Sequence, residues 1–184
     1  MARVLAIACL ACVLAACGGR DRTAEQLVPE KLYERGNRAL MSGDYKGAVR
    51  YYEALQARYP FSELSRQARL DIMYAYYRSR ESESAVDAAD QFIRENPTHP
   101  RVDYAMYVKG LVYFERAPNF LERWFRTDLT ERPPQDVLRS FQAFQQLIER
   151  YPDSEYSNDA RQRMVFLRNR LAEYEVHVAD YYLR

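Results

Sequence analysis

Apolar positions along this chain recur with a helical period, and the same alternation returns several times. From Tyr45, apolar side chains follow at Ala48, Val49, Tyr52 and Leu55; a second stripe runs Val137, Leu138, Phe141, Phe144, Leu147 and Ile148. Spacings of three and four place each set on one face of a helix. No run of four or more residues alternates in the manner of a strand. The pattern predicts helices over roughly 30–41, 45–58, 62–79, 82–95, 100–116, 135–150 and 154–183. The expected fold class is all-α.

The helices are punctuated at a fixed period. Gly36, Met73 and Gly110 are 37 residues apart, as are Pro60 and Pro97, and Ala48 and Ala85. Pro60, Pro97 and Pro152 each follow a small residue (Ala48, Ala85, Ser140) by twelve positions. Gly43-Asp44-Tyr45 makes the turn of the first unit, and Arg80 stands where the second would have its glycine. Pro97 and Pro152 are 55 apart, so the third unit carries an insertion, placed at 117–134. A repeated pair of antiparallel helices is the mark of a tetratricopeptide solenoid, a right-handed stack of hairpins covering 29–184 as three and a half repeats. In such arrays the first helix of each repeat lines a concave, peptide-binding surface. Its inward positions map to Tyr33, Asn37, Gln67, Tyr74, Tyr77, Arg78, Tyr104 and Tyr107, with Tyr59 and Phe61 at the first corner.

Two segments stand apart from the repeat. The insertion holds Trp124 and Phe125 among Pro118, Pro133 and Pro134, which argues against one continuous helix and suits either packing over the repeat's own edge or, as the sharper reading, a partner-docking loop. The last stretch, from Ser154 to Arg184, contains no Gly or Pro, and Met164, Leu167, Leu171, Tyr174, Val178 and Tyr181 form a seam along it. Its final two turns, with no following helix to cover them, are expected to be exposed, to fray and to favour self-association.

Composition narrows the function. Arg3, an apolar run from Val4 to Val13 and Leu14-Ala15-Ala16-Cys17 make a secretory leader over 1–16, too short to span a bilayer as a mature helix. Leu-Ala-Ala-Cys resembles the bacterial lipobox, which implies lipidation at Cys17 followed by a flexible tether over 17–28. Cys9 and Cys12 leave with the leader, so the mature chain has no disulfide and no thiol nucleophile. Without the leader, 26 basic residues balance 26 acidic ones, which argues against a nucleic-acid partner. His99 and His177 lack partners at metal-ligand spacing, no glycine-rich phosphate loop occurs, and carboxylate pairs such as Asp87 and Asp90 read as solvated faces. No catalytic residue, metal or cofactor is expected. The sixteen tyrosines suit a helix core and a peptide-binding surface equally.

Several segments resemble the BamD family, the competence lipoproteins of the outer-membrane β-barrel assembly machine. They are Arg58-Tyr59-Pro60-Phe61, Tyr74-Ala75-Tyr76-Tyr77, Asn96-Pro97-Thr98-His99-Pro100, Val165-Phe166-Leu167, and Phe125, Asp128, Arg132 and Pro134 of the insertion. The resemblance implies a lipid-anchored protein on the periplasmic side of the outer membrane. Its implied partners are the barrel-assembly protein BamA, accessory lipoproteins and unfolded outer-membrane protein precursors, which end in aromatic carboxy-terminal segments. Members of that family have five repeats, so the resemblance implies that later repeats would follow Arg184. A secretin or pilus pilotin, or an adaptor for cell-wall enzymes, would share the lipobox and the repeats but not the insertion.

Overall fold

The computed structural model describes residues 28–116 and 135–183, and every regular element among them is an α-helix. In chain order these are α1 (Pro29–Met41), α2 (Tyr45–Arg58), α3 (Glu63–Ser79), α4 (Ser82–Glu95), α5 (Val102–Arg116), α6 (Gln135–Arg150) and α7 (Ser157–Leu183). Each lies within three residues of its expected bounds. Cys17, Trp124 and Phe125 fall outside the described residues, as do the leader, the tether up to residue 27 and the insertion.

Local chemistry explains where the helices start and stop. Pro29 opens α1, where its missing N–H costs nothing. Asp44 caps α2 by accepting from the Gly47 N–H at 2.9 Å, and Ser62 caps α3 by accepting from the Ser65 N–H at 3.1 Å. Gly43 has φ of 82° and Arg80, one period later, has φ of 65°. Arg80 therefore does a glycine's work with a side chain attached. α5 starts at Val102, not 100, because His99 Nδ1 accepts the Arg101 N–H at 3.1 Å and holds a turn there. α7 starts at Ser157, not 154: the Ser154 N–H bonds the Tyr151 carbonyl at 3.1 Å, and Ser154 Oγ accepts from the Tyr156 N–H at 3.2 Å.

The two corners that contain Arg-Tyr-Pro share one device. Arg58–Ser65 and Arg150–Ser157 are identical at six of eight positions. In each the last serine is fully buried, and its hydroxyl donates at 2.7 Å to the carbonyl of the tyrosine six residues before it. That carbonyl also takes a turn bond from the serine N–H three residues on, Ser62 in one corner and Ser154 in the other, so the buried hydroxyl is a second donor that ties the following helix to the corner. The proline spacing does not reveal this bond; the repeated octapeptide does.

Within each repeat the two helices cross at a matched large and small pair. Gly36 receives the Tyr52 ring, where a Cβ would lie 2.6 Å away, and Gly110 receives the Phe144 ring, where it would lie 2.4 Å away. The middle repeat inverts the sizes: Met73 and Ala89 occupy the equivalent positions, and both are fully buried. Volume at the crossing is kept while its source switches helix.

The hairpins stack in sequence, α1 on α2, α2 on α3 and onward through α5 on α6 and α6 on α7. First helices also pack on one another, α1 on α3 and α3 on α5, and no comparable packing joins the second helices of successive repeats. The first helices thus form the inner side of the array. Two cores result, one around Leu32, Tyr52 and Leu55, the other from Met73 through Phe144 to Leu167. On α7 the expected seam is only partly used: Leu167 is fully buried, Met164, Leu171, Tyr174 and Val178 are half-buried, and Tyr181 is exposed.

Candidate functional site

Four residues of α3, Gln67, Asp71, Tyr74 and Arg78, are spaced four, three and four apart, so they form one stripe on the inner face. Tyr33 of α1 and Tyr104 and Tyr107 of α5 flank it, all half-buried. The tyrosine hydroxyls are not free. Tyr33 donates to Asp71 Oδ2 at 2.9 Å, Tyr77 donates to Glu115 Oε1, and Tyr107 donates to Asp159 Oδ2 at 2.7 Å. Each bond leaves one first helix and ends on the next, α1 to α3, α3 to α5 and α5 to α7. A ladder of tyrosine-to-carboxylate bonds therefore runs the length of the inner face. The tyrosines join repeats through their tips and offer rings along their sides.

The α3 stripe carries two charges, Asp71 and Arg78. Arg78 is exposed; its guanidinium lies 4.7 Å from the Tyr45 ring centre and 5.6 Å from that of Tyr74, and Nη1 donates to the Tyr74 hydroxyl at 2.6 Å. The Tyr74 contact raises its pKa further, so it is always a cation. Asp71 is half-buried, and burial pushes its carboxyl up against the opposing hydrogen bonds from Tyr33 and Gln67 and the field of Arg101. Burial and the bond to Asp71 together push the Tyr33 hydroxyl up to about 12. Beneath them lies Tyr52, whose ring centre is 6.0 Å from that of Tyr33. Its hydroxyl is buried without a hydrogen-bond partner among the described residues.

Toward α7 the face becomes denser. Tyr107 stacks on Tyr156 at 4.7 Å, Tyr104 tilts against the same ring at 5.7 Å, and the Arg163 guanidinium lies 4.7 Å from the Phe114 ring centre. Arg163 also pairs with Asp159 at 2.5 Å. Asp159, Tyr156 and Arg163 belong with the face, although the sequence reading stopped at Tyr107. One signal could have found Asp159: the doubled octapeptide aligns it with Gln67.

The remaining candidates are scattered. Asn37 is exposed one turn beyond Tyr33 on α1, whereas Gln67, also exposed, stays with the stripe through its bonds to Tyr33 and Asp71. Tyr59 is half-buried against the first core, with the Arg58 guanidinium 5.8 Å from its ring centre, so it is part of the packing. Phe61 is 92% exposed at the corner. His99 sits in its turn with its ring edge-on to Phe92 at 5.2 Å, and His177 is exposed. Asp87 is solvated as expected, but Asp90 is half-buried and pairs with Lys109 at 2.7 Å. Among the described residues no group of three His, Cys, Asp or Glu side chains could hold a metal, and no helix is long and apolar enough to cross a membrane.

Fold and face together define a helical-repeat scaffold with a tyrosine-rich inner surface. Residues 25–184 match the YfiO family, described as outer membrane lipoproteins. The chain is 38% identical over 172 residues to the outer membrane protein assembly factor BamD of Vibrio cholerae, a match covering 94% of this chain and 71% of that protein. It is 38% identical to the protein of the same name from Neisseria gonorrhoeae over all of this chain and 71% of that protein. With that of Pasteurella multocida the identity is 33%, over 97% and 68%. The chain belongs to this family of outer-membrane lipoproteins, whose members are assembly factors and not enzymes.

Proposed function

We propose that this protein is a non-enzymatic subunit of the outer-membrane β-barrel assembly machinery. It is held at the periplasmic side of the outer membrane by lipid on Cys17, and it scaffolds the complex while capturing unfolded outer-membrane protein precursors. The observation that carries this reading is the family match across residues 25–184 to proteins named as outer membrane assembly factors. The inner face supports the capture step. Its rings at Tyr74, Tyr77, Tyr104 and Tyr107 offer apolar area to an aromatic segment, and Arg78 offers a cation held ready by two tyrosines. In this reading the segment 117–134, with Trp124 and Phe125, docks on the barrel-assembly protein BamA or on an accessory lipoprotein.

The capture step is tested by photocrosslinking. A photoreactive side chain replaces Tyr74 on the inner face or, as control, exposed Gln91 on α4, and the target is a barrel-precursor carboxy-terminal peptide. Adducts are expected at position 74 and not at position 91. Equal labelling at both, or label at 91 alone, would remove the inner face from the reading.

A further inference from the structure

Asp71 and Arg78 are the two charges of the α3 stripe, and they are set seven residues apart. Seven residues are two helical turns, about 10.5 Å of rise, so both charges stand on one line of the helix. Neither is neutralised at short range. Arg78 contacts Tyr45 and Tyr74 but no carboxylate within ion-pair distance among the described residues. Its other guanidinium nitrogens stay available for a bidentate anion.

Asp71 is the mirror case. It accepts from Tyr33 at 2.9 Å and makes no ion pair among the described residues. Arg101, whose field reaches it, is already committed to Glu155 and to the Tyr156 hydroxyl, each at 3.2 Å. The Tyr52 hydroxyl, buried and without a partner among the described residues, lies in the same wall, beside Tyr33 and within the field of Asp71. Asp71 thus holds hydrogen bonds from Tyr33 and Gln67 but has no counter-ion among the described residues. The Asp71 carboxylate is an acceptor for a donor brought from outside, and an ammonium among tyrosines meets favourable ring faces as well.

We propose that the inner face selects an extended peptide whose terminal carboxylate sits at Arg78 and whose third residue before the end carries a cation that sits at Asp71. This inference rests on the capture reading above and adds the ligand's register and charge pattern. An extended chain rises about 3.3 Å per residue, so about three residues span the gap between the two charges. Side chains on such a chain alternate faces, so an acidic side chain three places from a basic one would point the wrong way. A main-chain carboxylate has no such parity, which makes the anion the peptide's own terminus. The stripe thereby fixes direction: the ligand's end lies toward the C-terminus of α3, and its basic residue toward the N-terminus.

The test uses the full chain in detergent and a set of labelled, acetylated aromatic octapeptides read by fluorescence anisotropy. The parent peptide has a free carboxylate and Lys three residues before its last residue. Companions carry norleucine at that place, carry the Lys one place nearer the end, or end in an amide. With the wild-type chain each companion should bind about tenfold more weakly than the parent, equal to about 1.4 kcal/mol. Asp71→Asn should erase the preference for Lys over norleucine and keep the preference for carboxylate over amide; Arg78→Gln should do the reverse. Circular dichroism checks that both variants are folded. Equal binding of the Lys and norleucine peptides to the wild type would overturn this inference while leaving peptide capture standing. Failure of every peptide to bind would overturn both.

Discussion

At the scale of single residues, two side chains work against the stability of the fold. Asp71 is held by burial with its carboxyl above the usual range, so the folded chain binds that proton more tightly than the unfolded chain does. Its contribution is therefore most favourable below the unfolded carboxylate value of about 3.9 and is lost as pH rises through the folded value. Asp71→Asn, which keeps an oxygen for Tyr33 to donate to, should raise the melting temperature at pH 7 and lose that advantage by pH 4. A parent protein more stable than the variant at pH 7 would contradict the assignment. Arg80 is the other case: a left-handed backbone at a non-glycine residue. Arg80→Gly should stabilise by about 0.5–1 kcal/mol, seen as a melting shift of a few degrees.

At the scale of elements, the crossing pairs decide how closely two helices approach. Gly110→Ala puts a Cβ against the Phe144 ring, 2.4 Å from its nearest carbon in the present geometry. That overpacking should cost about 1–3 kcal/mol in denaturant unfolding. The middle repeat shows another solution to the same crossing, with Met73 against Ala89. Gly110→Met combined with Phe144→Ala should therefore recover part of the loss, and more than either change alone would suggest. Strict additivity of the two would mean that the residues do not share the space assigned to them.

Across the whole molecule each repeat is stabilised by its neighbours, so protection should follow how many neighbours a helix has. α3 and α5 are each packed against a hairpin partner on either side and against another first helix. The far end of α7 is different: Val176, Tyr181, Tyr182 and Leu183 are 69% to 87% exposed. Native-state hydrogen exchange should show the slowest amides in α3 and α5, and near-unprotected amides beyond residue 176. Slow exchange at residues 178–183 would mean that another surface covers that stretch in solution.

The period of 37 and its prolines were enough to place seven helices, because apolar spacing and helix stops are local properties of the chain. Gly36 and Gly110 were legible as markers of the period, and the packing gives the reason: the missing Cβ admits the facing ring. The chemistry of the inner face was not legible in the same way. Repeat arithmetic could list Tyr33, Tyr77 and Tyr107, but not that each gives its hydroxyl to a carboxylate 38 or 52 residues away. Nor could it mark Asp71, which one sequence position does not distinguish from any other helical aspartate. Its charge is set by what surrounds it: burial first, then the bonds from Tyr33 of α1 and from Gln67, and the reach of Arg101, whose own bonds are to Glu155 and Tyr156. Local sequence fixes where a helix runs, because backbone hydrogen bonds close within four residues. Burial and electric field are sums over side chains brought together from distant repeats, and only the tertiary structure performs that sum.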